Sequence, residues 1–371
     1  MRVLILGGGP AGAAAAIALA RAGAAPVLVE RAAVTAEKVC GEFLGADAAA
    51  LLAGLGLDLA ALGAVPIRQA RFGAGPWRSR AALPFAAWSL PRATLDAALL
   101  LAAAQAGAAL RCGVAAVAAE REAGCWRLRL ADGAVLAADN LVLATGKHEL
   151  RGLARPAGAG ALGLKLALDE VDVADSIVLL ACAGGYAGLQ PRAGGGANLC
   201  LAMQAGTPGL ALAARDPAAL LAHVMSGSAL ARQLLARARP AWPRALAVAG
   251  VPYGFVHRDA GPEGAYPGLY RVGDQAAVVP SLCGDGIAMA LASGTRAATA
   301  IGAGDGTGAG AGAHHAAWAR AVAPGMRLAG LIDGLMARAP GLLVAAVGAA
   351  PGLARWAARR TRMGLGTIGG G

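Results

Sequence analysis

Aromatic residues are scarce in this chain: 4 Phe, 4 Tyr and 6 Trp make up 4% of its 371 residues. A face that binds single-stranded nucleic acid needs stacking rings beside its cations, and no such ladder accompanies the basic residues. Lysine is scarcer still, confined to Lys38, Lys147 and Lys165, so the net charge of +11 comes mainly from arginines scattered through Ala- and Gly-rich sequence. That dispersion resembles codon bias more than a stripe for a polyanion, and no nucleic-acid partner is expected. The cysteines (Cys40, Cys112, Cys125, Cys182, Cys200 and Cys283) include no Cys-x-x-Cys pair and no metal-like spacing with the histidines. This excludes dithiol redox chemistry and predicts reduced thiols and no metal site. A Gly-x-Ser-x-Gly hydrolase elbow and a Walker lysine loop are also missing.

Long apolar runs are lacking too. The longest late one, 339–354, contains Pro340 and Pro351 and falls short of the ~20 residues a bilayer span requires. Arg355, Arg359, Arg360 and Arg362 follow it. The segment reads either as a helix pair packed on the protein's own core or as one lying on an anionic membrane surface. A fold that begins at residue 2 leaves no room for a signal peptide, so the expected location is cytoplasmic or membrane-peripheral.

What is present begins at once. Residues 2–6 read RVLIL, followed by Gly7-Gly8-Gly9-Pro10-Ala11-Gly12, an Ala-rich helical stretch to Ala22, and a second strand ending in Glu30. This is Gly-x-Gly-x-x-Gly between a strand and a helix, with an acid at the tip of the next strand. Gly7 permits the tight turn, Gly9 lets a pyrophosphate approach the backbone, and Gly12 lets the helix pack on the strand. The helix N-terminus offers unpaired N–H groups to phosphates, and Glu30 can accept from a ribose diol. The pattern predicts dinucleotide binding, in which Ala11 and Arg31, next to these groups, are further candidate contacts.

Further along, helices are expected over 46–62 and Leu95 to Ala106, and short strands over 110–118 and 125–130, the latter turning at 131–133 to Val135-Leu136. Asn140 to Gly146 is a buried strand ending in a small-residue turn. Residues 160–205 are strand-like and 208–238 helical. Leu269 to Asp274 is a strand ending in Gly273-Asp274; Gly284-Asp285-Gly286 then opens an apolar helix from Ile287 to Ala300. The stretch 302–312, almost all Gly and Ala, reads as a flexible loop, and 313–362 as a helical appendage.

Glu30 after the glycine turn, Gly273-Asp274 and the Gly284 turn recur together in FAD enzymes of the para-hydroxybenzoate hydroxylase type, which the chain resembles. Within that superfamily, Lys38-Val39-Cys40-Gly41 resembles the Lys-x-Cys-Gly segment of geranylgeranyl-reductase-like flavoproteins, and Arg92-x-x-Leu95-Asp96 their Arg-x-x-Phe-Asp segment. The resemblance spans residues 1 to about 300. It implies an α/β fold: a Rossmann-like FAD-binding domain built from discontinuous segments (1–154, with 65–91 contributing to the substrate domain, and 263–312), an α+β substrate domain (155–262) and a helical C-terminus (313–371).

The same resemblance implies roles for residues. The adenosine end of FAD lies on Glu30 and the diphosphate on the first helix; Asp274 accepts from the ribityl hydroxyls, with Gly273 leaving room. The helix opened by Gly284, Gly286 and Ile287 stabilises negative charge on the reduced ring. Arg92 neutralises the diphosphate or holds the ribityl chain, and the Val114 backbone contacts adenine. Cys40 and Gly41 come beside the flavin ring, where Cys40 shapes the substrate face or is a spectator thiol. Glu42 is a proton donor or a backbone-orienting acid.

Two departures stand out. In the reductases a Gly-Tyr-x-Trp-Val-Phe-Pro segment lines the prenyl cavity; here Gly185 to Pro191 keeps Tyr186 but replaces the Trp and Phe and adds Gln190. Tyr186, Gln190 and Tyr253 are the candidate substrate-lining residues. The Asp-Gly segment that many hydroxylases share between FAD and NAD(P)H is replaced by Ala144-Thr145-Gly146-Lys147-His148. Lys147 and His148 either meet a nicotinamide's phosphates or are solvated loop residues. No Trp-x-Trp-x-Ile segment marks the halogenase branch. The implied activity is FAD-dependent oxidoreduction of an apolar small molecule, an isoprenoid or polyketide-derived lipid, by double-bond reduction or flavin monooxygenation, with NAD(P)H as donor. The alternative of another class is a non-catalytic nucleotide-binding or carrier protein.

Overall fold

In the computed structural model, residues 1–156, 160–258, 266–304 and 310–362 are described. The first strand, β1 (Val3–Leu6), is buried along its whole length because both of its faces are covered. Val3 and Ile5 point into a core shared with helices; Leu4 and Leu6 point into a second core on the other side. Such a continuous apolar run suits the interior of a parallel sheet. β1 is flanked by β2 (Val27–Glu30) and β10 (Asn140–Leu143), and beyond these lie β6 (Ala109–Cys112) and β17 (Leu269–Arg271). All four pairings are parallel. Helices α1 (Pro10–Arg21), α3 (Arg92–Ala106) and α7 (Gly286–Ala303) cover one face. A three-stranded sheet of β7 (Ala116–Glu122), β8 (Cys125–Leu130) and β9 (Val135–Ala138) covers the other, with Trp126, Leu128 and Leu130 facing Leu4 and Leu6.

A nine-stranded sheet stands beside it. Its path is β15 (Arg239–Pro240), β11 (Ala161–Asp169), β14 (Ala197–Met203), β13 (Gly185–Pro191), β12 (Ser176–Cys182), β4 (Val65–Ala74), β5 (Trp77–Ser89) and β3 (Phe43–Leu44), with β16 (Leu246–Val251) on β11. β4 and β5 come from early in the chain, and β4 joins β12 in parallel. Helices α4 (Leu210–Ala213), α5 (Pro217–Gly227) and α6 (Ala229–Leu235) close one face over a leucine-rich core. Toward the other come α8 (Gly310–Arg338), α9 (Pro340–Ala349) and α10 (Pro351–Arg360), where Met336 and Val344 pack on Ala74, Ala181 and Tyr186.

Three expectations are corrected. The helix expected over 46–62 is α2 (Ala46–Gly54) and stops early, because Gly56 turns left-handed (φ 89°) and Leu57 N–H bonds back to Leu52 O at 2.9 Å. The strand expected to reach Asp274 ends at Arg271, and Gly273–Gln275 forms a 3₁₀ turn instead. Of the presumed loop 302–312, the ends belong to α7 and α8; residues 305–309 lie outside the described residues.

Candidate functional site

The dinucleotide turn has the steric demands its glycines predicted. Gly7 has φ 107°, and a Cβ there would stand 2.3 Å from Ala144 O; one on Gly12 would stand 1.9 Å from Gly7 O. No L side chain fits either place. The N-cap Gly9 gives α1 no side-chain cap, and the first turn holds no acid, so its N–H groups are left for a ligand. A Cβ on Gly9 would lie 3.6 Å from the Arg92 guanidinium, which places that cation over the turn. Arg92 is held there by a two-pronged bond to Asp96 (2.9 and 3.0 Å), which Lys38 also reaches at 2.7 Å. Burial works against Arg92's charge, but the Asp96 carboxylate more than offsets it and raises its pKa above arginine's ordinary value.

Glu30 sits at the tip of β2, its two oxygens accepting from Gly8 N (2.6 Å) and Ala32 N (3.0 Å). Val114 N–H donates to Glu30 O at 3.3 Å, so its backbone belongs to this end. Arg31 is tied to His148 Nε2 at 2.7 Å.

Asp274, the second acidic candidate, lines the same cavity. Gly273 has φ 59°, and a Cβ there would stand 3.0 Å from the Ala11 methyl, so this turn packs against the start of α1. Ser293 in α7 accepts from Gly273 N at 2.8 Å. Asp274 is paired with Lys147 at 3.2 Å, and this carboxylate raises Lys147 above lysine's usual range. Lys147 is therefore an internal partner of Asp274, not a solvated loop residue. His148 is bound to Arg31, and burial pushes its pKa down. Arg155, buried against Glu149, donates to Asp274 O at 2.7 Å and holds the loop from behind.

α7 opens beside these anchors. Gly284 turns left-handed (φ 71°), and a Cβ on it would strike the Phe43 ring at 2.7 Å; Gly286 faces open space and Ile287 is buried. Asp285, between the two glycines, is ion-paired with Arg362, whose guanidinium lies 4.3 Å from the Phe85 ring centre and 5.6 Å from that of Phe43. Burial pushes Asp285 up to about 7, with Arg362 opposing. Asp285 Oδ2 and Arg362 Nε are buried with no hydrogen-bond partner among the described residues.

Glu42 is a third buried carboxylate. It adopts φ 63°, rare for a residue with a side chain, and its Oε1 accepts both from Arg92 N–H at the start of α3 (2.9 Å) and from the Lys165 ammonium. Lys165, 1% exposed, also reaches Glu37. With one ammonium shared by two carboxylates, burial holds the deeper one, Glu42, at about 7. The preceding loop is stapled to the nine-stranded sheet by Asn198 Nδ2, which donates to Cys40 O (3.3 Å) and Gly41 O (3.4 Å). Cys40 Sγ accepts from Glu42 N at 3.3 Å.

One cavity of about 760 Å³ runs from Gly7 and Glu30 past Glu42, Arg92, Lys147, Asp274 and Gly286 to Tyr186 and Leu343, with Lys165 and Asp285 behind its lining. Along β13, Tyr186, Gly188 and Gln190 share the face that lines it, as strand alternation requires. Tyr186 Oη meets Ser281 Oγ at 2.5 Å. Burial drives Tyr186 well above its ordinary pKa and Tyr253 to about 12. Gln190 is 1% exposed, and neither its amide nitrogen nor its oxygen has a partner among the described residues. Among the described residues no group of three or more His, Cys, Asp or Glu is placed to hold a metal ion.

A family model for pyridine nucleotide-disulphide oxidoreductases matches residues 1–179. The solved flavin-dependent brominase Bmp2 superimposes with a TM-score of 0.77 at 17% identity, covering 99% of this chain and 94% of that one. The fold is that of the FAD-dependent flavoproteins. A geranylgeranyl bacteriochlorophyll reductase-like protein from Thermoplasma acidophilum shares this flavoprotein fold with a TM-score of 0.72 at 18% identity over 98% of this chain and 93% of that one. So does the myxobacterial chondrochloren halogenase CndH, at 0.68 and 22%, over 81% and 74%. No curated protein matches the sequence.

The sequence motifs come together around one cavity, but several of their partners were not foreseen. Lys165 had a signal, a lone cation inside the apolar run 162–168. Glu37 and Arg155 had none, being ordinary loop charges in sequence. Arg362 lies beyond the segment that any motif covers.

Proposed function

We propose that the chain is an FAD-dependent oxidoreductase acting on an apolar small molecule, an isoprenoid or polyketide-derived lipid, with NAD(P)H as electron donor. The observation that carries this reading is the single cavity that joins a dinucleotide cradle to an apolar chamber, with the Gly284–Gly286 turn between them. The residues present fit FAD. Both ends of a long cofactor have a carboxylate, Glu30 and Asp274; the middle has the bare N-terminus of α1 and the Arg92 cation; no Cβ obstructs Gly9 or Gly286. When bound, FAD supplies the electron transfer.

The chain's own residues do the rest. α7 presents an uncapped N-terminus with no acid in its first turn, a place where negative charge is stabilised. Gln190 offers an amide to a polar group of the substrate, and without such a partner its burial is costly. Glu42, titrating near 7, holds a proton that it can give or take at the seam of the two sheets. Tyr186 and Tyr253 remain protonated and bound near Ser281, so they serve as donors, not bases.

The test is direct. Purified protein should be yellow and release FAD on denaturation, and NAD(P)H oxidation should rise with prenyl or polyketide lipids. Turnover without oxygen assigns double-bond reduction; an absolute oxygen requirement assigns monooxygenation. A colourless protein that takes up no FAD on reconstitution overturns the reading.

A further inference from the structure

α10 forms part of the wall of the apolar chamber. Ala354, Ala357 and Ala358 line the cavity, and so does Thr361 just beyond the helix. At 100° per residue, the opposite face of the helix carries Arg355, Trp356, Arg359 and Arg360, all of them exposed. Trp356 is 53% exposed, and Leu353 beside it is also exposed. α9 has the same two-sided character: Leu343 and Val347 line the cavity while Leu342 is 72% exposed. Trp77, at the tip of the β4–β5 hairpin, is exposed against the first turn of α9; a Cβ on Gly341 would lie 3.2 Å from its ring. Leu331 and Leu335 continue the exposed apolar set at the end of α8. From Ala339 to Arg362 there is no acidic residue.

We infer that this surface docks on an anionic lipid bilayer and that the amphiphilic substrate passes from the bilayer into the chamber beneath it. Tryptophan and arginine on one helical face, with leucines beside them, match the interface of a bilayer. The rings occupy the headgroup boundary, the arginine stems lie along it, and the guanidinium groups meet phosphates. Two copies of this face would set three arginines against three with no acid between them, which disfavours a two-fold contact. Among the described residues no single helix is long and apolar enough to cross a membrane, and α8 and α9 pass that test only as a pair bent by 111°, so the surface lies on the bilayer. The route into the chamber rests on the proposed oxidoreductase reading; the docking itself does not.

The experiment is co-sedimentation of the full chain, as purified, with phosphatidylcholine vesicles and with vesicles containing about one third phosphatidylglycerol. Binding should favour the anionic vesicles and fall as salt is raised. Each arginine removed should weaken it about fivefold, so the triple variant R355Q/R359Q/R360Q should bind about 100-fold more weakly. Trp356→Ala should weaken binding at high salt as well, where the charges are screened. These positions are exposed, so an unchanged melting temperature shows that the variants are folded. Equal sedimentation with and without anionic lipid overturns the inference. A vesicle-independent dimer lost in Trp356→Ala, or a preference for single-stranded nucleic acid over vesicles, also overturns it and reassigns the face. Because bound protein is read whatever its flavin content, failure to dock and failure to hold FAD are distinguishable.

Discussion

In the parallel sheet, an added carbon at Gly7 or Gly12 would strike backbone at 2.3 or 1.9 Å; in the nine-stranded sheet, one at Gly188 would meet only ordinary neighbours at 3.8 Å. Both regions line the same cavity, but these glycines do different things. In the cradle Gly7 and Gly12 are conditions for the chain to close. In the chamber Gly188 leaves space on the cavity wall that can be altered without unmaking the fold, whereas Gly185 on the same strand is as enclosed as the cradle glycines, a Cβ there standing 2.1 Å from Ala202 O.

The sharpest way to break this contrast is a paired substitution. Gly7→Ala should cost at least about 3 kcal/mol, through strain at positive φ and a backbone clash, and should abolish FAD retention. Gly188→Ala should change the unfolding midpoint by less than about 0.5 kcal/mol while shifting KM among lipids of different girth. Equal losses in the two variants, by thermal melt and flavin content, would erase the distinction.

Next in size is Lys165→Met. It strands Glu37 and Glu42 without their cation and should cost about 3–5 kcal/mol. Combining it with Glu42→Gln should recover part of that loss, a coupling read from a double-mutant cycle. If the losses simply add, Lys165 does not act through Glu42.

A smaller effect depends on pH. Glu42 rises from 4.5 unfolded to about 7 folded. Between those values the native state binds a proton that the unfolded chain has released, so this group's contribution to stability declines as pH rises through the window. Glu42→Gln should flatten that decline by at most about 3 kcal/mol. His314 works the other way: burial holds it at about 3, so its contribution declines as pH falls below 6.5. His314→Leu should soften the acid limb alone. The smallest expected change is Gln190→Leu, which removes two unpartnered buried polar atoms; the protein should melt no lower, while KM for substrates with a polar group rises.

What the sequence revealed follows the same division. The cradle was readable because its requirements are local: a turn that admits no side chain, an uncapped helix start, and an acid at a strand tip all lie within residues 7–30. Gly273-Asp274 was legible as a turn after a strand, and it lines the cavity, although the strand stops earlier than expected. The chamber was not readable beyond Tyr186, Gln190 and Tyr253, because most of the rest of its wall is alanine, leucine and valine, which look alike in any core. Its two buried ion pairs join residues far apart in sequence, Glu42 with Lys165 and Asp285 with Arg362, and no local pattern announces such pairs. Lys165 alone carried a sign, as the one charge inside the otherwise uncharged run 162–168.

Asp285 stands at the boundary between the two regions. It occupies the turn that begins α7, and it also receives Arg362 from the end of the chamber wall. Its charge is finely balanced, since burial brings it near neutrality at ordinary pH. Protonation of Asp285 would therefore loosen the ion pair that ties the chamber wall to the turn opening α7.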